Sequence, residues 1–151
     1  MTHEEMKHWL KRGFYAQKRA EVLKDIIANV REQAQNLSRS RADTAPASDA
    51  GALSRTEQAV AKLAEMETRY VDEQCRLAEV LAEIADAIAM LENDDLQAVL
   101  ESRYLLLRTA EQTAEALHYD VRTVRYKQKR AVERLCEVWR GEHGSMEFYK
   151  N

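Results

Sequence analysis

The chain contains few of the residues that build disulfide frameworks and flexible linkers, and it has no long apolar run of the kind that spans a membrane. Its 151 residues include one Pro, four Gly and two Cys. Two isolated Cys indicate neither a disulfide framework nor a metal site, so we expect a reducing, cytoplasmic location. No segment approaches about 18 consecutive apolar residues. The polar N-terminus predicts no secretory signal, and we expect no membrane partner.

Chemistry-bearing motifs are equally scarce. With four Gly, the sequence offers no Gly-rich phosphate loop and no nucleophile elbow. Glu5 and His8 form an E-x-x-H pair, which is half of a carboxylate di-metal site, but no second matching pair accompanies it. We therefore expect a protein that is not an enzyme and that needs neither a cofactor nor a metal.

Strong helix formers dominate what is present. Ala, Leu, Glu, Arg and Gln are abundant, and no alternating run of β-branched residues occurs. The sequence predicts an all-α protein.

Capping signals mark two long helices in the N-terminal part. Thr2 and Glu5 form a capping box before the first helix, and Ser54 and Glu57 form another before the second. Residues 38–53 lie between them, contain the only Pro and several Ser, and predict a loop.

Both long helices carry apolar residues at alternating spacings of three and four, which is the pattern of a coiled-coil seam. These seams predict a long antiparallel helical hairpin over residues 1–92, although they could also pair between chains. Two polar residues, Glu67 and Gln74, interrupt the second seam. We expect them to be partly exposed, although they could instead set the register of the pairing. The seam residues are Ala16, Ala20, Leu23, Ile27, Val30, Ala34 and Leu37, then Val60, Leu63, Glu67, Tyr70, Gln74, Leu77, Leu81, Ile84, Ile88 and Leu91.

Residues 93–140 predict three shorter helices. Asp94 can cap the first, which extends to about Leu106, and a Thr109 capping box begins the second, which ends at Leu117. Their apolar faces predict a shared core. Its members are Val99, Leu100, Leu106, Ala114, Leu117, Val124, Ala131, Leu135, Val138 and Trp139.

A tight turn precedes the last helix. His118 suits a left-handed position in that turn, and Asp120 can cap the helix through the Thr123 amide. We expect this helix to end near Trp139 and residues 141–151 to form a flexible tail. Three helices with a tight turn before the longest match the plan of a helix-turn-helix.

The last helix begins with the most basic stretch of the chain. Residues 121–130 contain five basic side chains and no acidic one, in a chain whose net charge is −3, which leaves the remainder at −8. Clustered Lys and Arg on an otherwise acidic protein are typical of a phosphate-binding surface, although a solvated helix face would look similar. The candidate DNA-binding residues are Arg122, Thr123, Arg125, Tyr126, Lys127, Lys129 and Arg130.

Within this set, helical spacing separates two roles. Arg122, Arg125, Tyr126 and Lys129 share one face near the helix start, where recognition helices meet base edges. Lys127 and Arg130, together with Arg134 further along, lie to the side and suit phosphates.

The stretch Asp95–Leu135 resembles region four of bacterial sigma factors. It resembles most closely the short phage and prophage relatives grouped with the ArpU and RinA late-gene regulators. The chain departs from that pattern at three positions. Thr113 stands where an Ile is usual, which predicts a weaker core; His118 replaces a Gly; and Asp120 replaces a capping Ser. The matching residues are Val99, Leu100, Arg103, Tyr104, Ala114, Leu117, Tyr119, Asp120, Arg122, Thr123, Val124, Ala131 and Leu135.

The resemblance implies a phage or prophage transcriptional regulator that binds duplex DNA. Nothing resembles sigma region two, so a complete sigma factor is not expected. The N-terminal helices would form a homodimer or contact RNA polymerase. Two rival functions stay open: a phage DNA-packaging recognition subunit, although such subunits usually place the helix-turn-helix first, and a helical adaptor that binds only protein.

Overall fold

The computed structural model describes residues 1–43 and 50–147, with side-chain environments for residues 1–39 and 55–142. Within these ranges the chain is helical and has no strand, so the prediction of an all-α protein is confirmed. No described helix is both long enough and apolar enough to cross a bilayer. The helices are α1 (His3–Leu10), α2 (Arg12–Asp43), α3 (Ala50–Ile88), α4 (Asp94–Leu100), a π-helical turn (Glu101–Leu105) that continues α4, α5 (Ala110–Leu117) and α6 (Val121–Glu147).

The N-terminal capping box is present. The Thr2 hydroxyl accepts a hydrogen bond from the Glu5 amide at 3.2 Å, and the Glu5 carboxylate accepts from the Thr2 amide at 2.6 Å. Where one continuous helix was predicted, however, Lys11 separates α1 from α2. The Glu5 side chain therefore helps to cap α1.

The loop predicted at residues 38–53 is wrong at both ends. Residues 38–43 continue α2 and residues 50–53 begin α3, whereas residues 44–49 lie outside the described part of the chain. Ser54 therefore lies inside α3 and does not cap it. Ser costs a helix less than about 0.7 kcal/mol relative to Ala, so a Ser-containing stretch does not by itself end one.

Two further helix ends differ from the prediction. Asn93, rather than Asp94, caps α4, since its side-chain oxygen accepts from the Leu96 amide at 3.1 Å. The flexible tail predicted at residues 141–151 is wrong for residues 141–147, which continue α6, and residues 148–151 are not described. A Gly in a helix interior costs about 1 kcal/mol. Gly141 does not end α6, because adding a residue to a helix that has already formed is far easier than starting one.

The chain divides into two compact units, one formed by Met1–Tyr15 with Leu77–Asn151 and the other by Ala16–Arg76. This differs from the predicted division after residue 92, because α1 and the end of α3 share a core with α4 and α6. Gly13, at the start of α2, lets that turn lie close to the end of α3, since a Cβ there would be 2.8 Å from Leu81 Cδ2. Six side chains at the centre of this core are completely buried: Met6, Leu10, Ile84, Ile88, Leu100 and Leu135.

One predicted core residue is placed incorrectly. Leu106 is 60% exposed, whereas Tyr104 is 4% exposed and occupies the core instead. The π-helical turn explains the exchange, because its amide-to-carbonyl bond from Leu106 to Glu101 spans five residues and rotates the following side chains. Of the other predicted members, Leu117, Val138 and Trp139 are half-buried and the rest are buried: Val99, Leu100, Ala114, Val124, Ala131 and Leu135.

In the unit Ala16–Arg76, two ion pairs connect α2 with α3. Arg19 lies 3.6 Å from Glu73, and Arg31 lies 2.7 Å from Glu67. Because the second partner's number falls as the first rises, these segments run antiparallel. Ala16, Ala20 and Ile27 of the predicted seam are buried, whereas Leu37 and Val60 are exposed against expectation. Glu67 and Gln74 are exposed, in line with the partial exposure expected, and Glu67 also pairs with Arg31.

Candidate nucleic-acid interface

A tight turn with one left-handed residue joins α5 to α6. The predicted Thr109 capping box begins α5, and His118 ends it with φ 59° and ψ 43°, which confirms the left-handed turn. The His118 amide donates to the Glu115 carbonyl at 3.4 Å, and the Tyr119 amide donates to the Ala114 carbonyl at 2.9 Å. This pair of bonds is a Schellman motif, which satisfies the end of α5 and fixes the direction in which α6 leaves.

We expect His118→Gly to raise the free energy of unfolding by about 0.5–1 kcal/mol, because Gly relieves left-handed strain while losing somewhat more chain entropy. The His118 side chain is exposed, so little packing is lost. Urea denaturation measures the change. Ala116→Gly, at an exposed position inside α5, should instead lower stability by about 1 kcal/mol. A loss in both variants would contradict the role assigned to His118.

A small apolar cluster positions the start of α6. Val99, Ala110, Ala114 and Val124 are buried together, and Leu117, Tyr119 and Val121 pack against them. The first turn of α6 is therefore fixed against α4 and α5. The Val124 amide also donates to the Asp120 carbonyl at 3.0 Å, while the side-chain cap expected from Asp120 stays a prediction.

Thr113 does not leave the weak core that its replacement of Ile predicted. The residue is 0% exposed, and its Oγ1 lies 3.0 Å from Ser102 Oγ, which is also buried. One of these hydroxyls donates to the other, so neither buried oxygen lacks a hydrogen-bond partner.

Thr113→Val should lower the free energy of unfolding by about 1–3 kcal/mol, because it leaves the buried Ser102 hydroxyl without this partner. Adding Ser102→Ala removes the orphaned group and should recover part of the loss. A double-mutant cycle measured by thermal or urea unfolding tests both statements. Strictly additive losses in the double variant would show that the two hydroxyls are not coupled.

The exposed face at the start of α6 carries Arg122, Arg125, Tyr126 and Lys129, which we call the basic stripe. All four are exposed, and Tyr126 is 64% exposed. Arg125 Nη2 lies 3.7 Å from Glu111 Oε1, and its side chain remains 70% exposed. An exposed pair of this kind stabilises little and breaks easily, so Arg125 is accessible to another anion.

The remaining predicted site residues do not lie on the basic stripe. The Lys127 ammonium lies 3.5 Å from Asp95 and 4.9 Å from the centre of the Tyr119 ring, and only 23% of its side chain is exposed. Arg130 is exposed but lines a cleft that also contains three glutamates. Thr123 is half-buried. The Lys127 ammonium is thus already engaged by Asp95 and Tyr119.

Gln128 fixes the rotation of α6, a role that the sequence did not indicate. Its Oε1 accepts from Arg103 Nε at 3.0 Å, and its Nε2 donates to the Tyr104 hydroxyl at 2.8 Å. Burial raises the pKa of Tyr104, opposed by this hydrogen bond and by the Arg103 charge, so the phenol stays protonated. A polar residue four positions after the buried Val124 was the available signal.

The helix α1 closes the far end of the basic stripe. Val132 and Cys136, one and two turns beyond the stripe, are buried, and Cys136 Sγ lies 3.7 Å from the Thr2 carbonyl. His3, Glu4 and Lys7 of α1 share a cleft with Arg125 and Lys129 of the stripe, and the Lys7 ammonium lies 3.5 Å from the Glu4 carboxylate. The helix α1 therefore places Lys7, paired with Glu4, beside a surface that lies more than a hundred residues away in sequence.

Comparison with known proteins identifies no relative of the chain. No family model matches the chain, no curated protein is significantly similar to it, and no solved structure matches it. The resemblance of residues 95–135 to sigma region four stays a prediction from the residue pattern.

Proposed function

We propose that the protein is a transcriptional regulator of the phage or prophage type that binds duplex DNA through α5 and α6 as a helix-turn-helix. In this proposal α6 lies in the major groove, with the basic stripe toward the base edges. Arg122 and Arg125 can fork onto the O6 and N7 of guanine, and Lys129 meets a phosphate or a base.

The observation that carries the proposal is the position of the basic stripe. It lies at the start of a long helix that follows a left-handed turn, and its rotation is fixed by Gln128 and by the buried Val124. The chain as a whole is acidic, with a net charge of −3. Positive charge concentrated on one exposed helix face supports a specific nucleic-acid surface rather than general adhesion.

In the same proposal the N-terminal helices form an antiparallel hairpin that pairs with a second copy of the chain, with RNA polymerase as the alternative partner. Large apolar side chains exposed on α2 and α3 support this, since pairing would remove them from water. A symmetric dimer would present two helix-turn-helix units to two half-sites. Light scattering should give twice the mass of the chain. The side chains are Val22, Ile26, Leu37, Val60 and Val71, which are 42–59% exposed.

Selection from a randomised pool of duplex DNA tests the proposal. The full chain should enrich one sequence family, and enriched duplexes should bind more tightly than scrambled ones. Absence of binding even at low salt would overturn the proposal in favour of the protein-only adaptor, whose basic helix would dock on an acidic partner. A ring-shaped oligomer would instead favour the packaging subunit.

A further inference from the structure

A cavity of about 430 Å³ opens beside the basic stripe, between the α1–α2 junction, the π-helical turn and the start of α5. Its volume lies within the range of about 300–1,000 Å³ that is usual for small-molecule sites. Four basic side chains and one acidic side chain line it: Lys11, Arg103, Arg108, Arg125 and Glu111. This excess of positive charge favours an anionic occupant.

The start of α5 adds hydrogen-bond donors to the same wall. Thr109, Ala110 and Glu111 line the cavity, and the capping box occupies the amides of Thr109 and Gln112. The first amides of a helix have no acceptor within the helix, and the helix dipole favours a negative charge there. The cavity therefore combines cationic side chains with backbone donors.

An aromatic side chain stands at the same cavity. Phe14 lines it and is 40% exposed. A flat apolar surface next to cationic groups fits a ligand with a ring as well as a negative charge, because the ring can stack while the anion is held. A backbone phosphate of DNA would use the cations and the amides but would not stack on Phe14.

We propose that this cavity binds a small aromatic anion of the size of a nucleoside monophosphate, and that this ligand lowers DNA affinity through Arg125. Arg125 belongs both to the cavity and to the basic stripe, and Glu111, 3.7 Å away, is the carboxylate that the ligand displaces. A bound anion neutralises Arg125 beside the DNA. The effect on DNA rests on the proposed function, whereas the binding of the ligand does not.

Calorimetric titration of the full chain without DNA tests ligand binding. The probes are the four ribonucleoside 5′-monophosphates and salicylate, with inorganic phosphate for comparison. At least one probe should bind with a Kd below about 1 mM and more tightly than phosphate. Arg108→Gln should weaken it about tenfold or more, because a charged hydrogen-bond partner is lost. Glu111→Gln should tighten it, and Lys24→Gln, at an exposed site on α2, should change nothing.

The proposal is overturned if no probe binds with a Kd below about 1 mM. Phosphate that binds as tightly as the nucleotides also overturns it, and the cavity is then a place for a DNA phosphate alone. With DNA present, a saturating probe should weaken binding and reduce the salt slope by about one. An unchanged DNA affinity overturns the coupling, whereas probe binding without any DNA binding contradicts only the proposed function.

Discussion

The triple variant Arg122→Ala, Arg125→Ala and Lys129→Ala should bind duplex DNA far more weakly than the unaltered protein. Each cation that neutralises a phosphate contributes about 0.9 to the slope of log affinity against log salt, so loss of all three reduces the slope by as much as about 2.7. An arginine that reads a guanine adds about 1–3 kcal/mol of base discrimination, so preference for the enriched sequence should fall as well. Fluorescence anisotropy across a salt series measures both quantities.

A matched control separates local from general charge. Three exposed basic residues of the unit Ala16–Arg76 are Lys24, Arg69 and Arg76. Changing them together to Ala removes the same number of positive charges as the first triple variant. This variant should keep the salt slope and the sequence preference nearly unchanged. Equal losses in both triple variants would mean that net charge, rather than the basic stripe, governs binding.

Leu10→Ala should destabilise the unit that carries the basic stripe by about 2–5 kcal/mol. This effect is expected although Leu10 lies more than a hundred residues before α6 in sequence. Leu10 is 0% exposed and belongs to the core that also contains Leu100 and Leu135. Removing its side chain loses transfer free energy and leaves a cavity. Since whole domains are stable by about 5–15 kcal/mol, the loss should be plain in urea denaturation.

Leu106→Ala makes the same chemical change at the end of the π-helical turn, where the side chain is 60% exposed. Its cost should be much smaller, because a half-exposed Leu buries less area and leaves no closed cavity. If Leu10→Ala were as mild as Leu106→Ala, α1 would not be part of this core. A fragment that begins at residue 93 would then fold as well as the full chain.

Local signals predicted the parts of the fold that local physics determines. The capping boxes at Thr2 and Thr109 and the left-handed His118 each depend on residues within a few positions, and the structure has all three. The spacing of Arg122, Arg125, Tyr126 and Lys129 similarly sufficed to place them on one exposed face. Helical periodicity carries this information without knowledge of the tertiary fold.

What the sequence did not predict depends on partners far away in the chain. Their spacing of four residues places Met6 and Leu10 on one helix face, but it does not predict that they are buried against Leu135. The π-helical turn likewise shifts the register so that Tyr104 replaces Leu106 in the core. Lys7 and Gln128 join the surroundings of the basic stripe only through these contacts.

Equilibrium binding of the unaltered full chain to its enriched duplex and to a scrambled duplex, between about 50 and 200 mM salt, tests the central claim most directly. We predict log affinity that falls linearly and steeply with log salt for both duplexes. The enriched duplex should keep an advantage of about a thousandfold or more, as specific binders do. No measurable binding at about 50 mM salt, or equal affinity for the two duplexes throughout, would contradict the account.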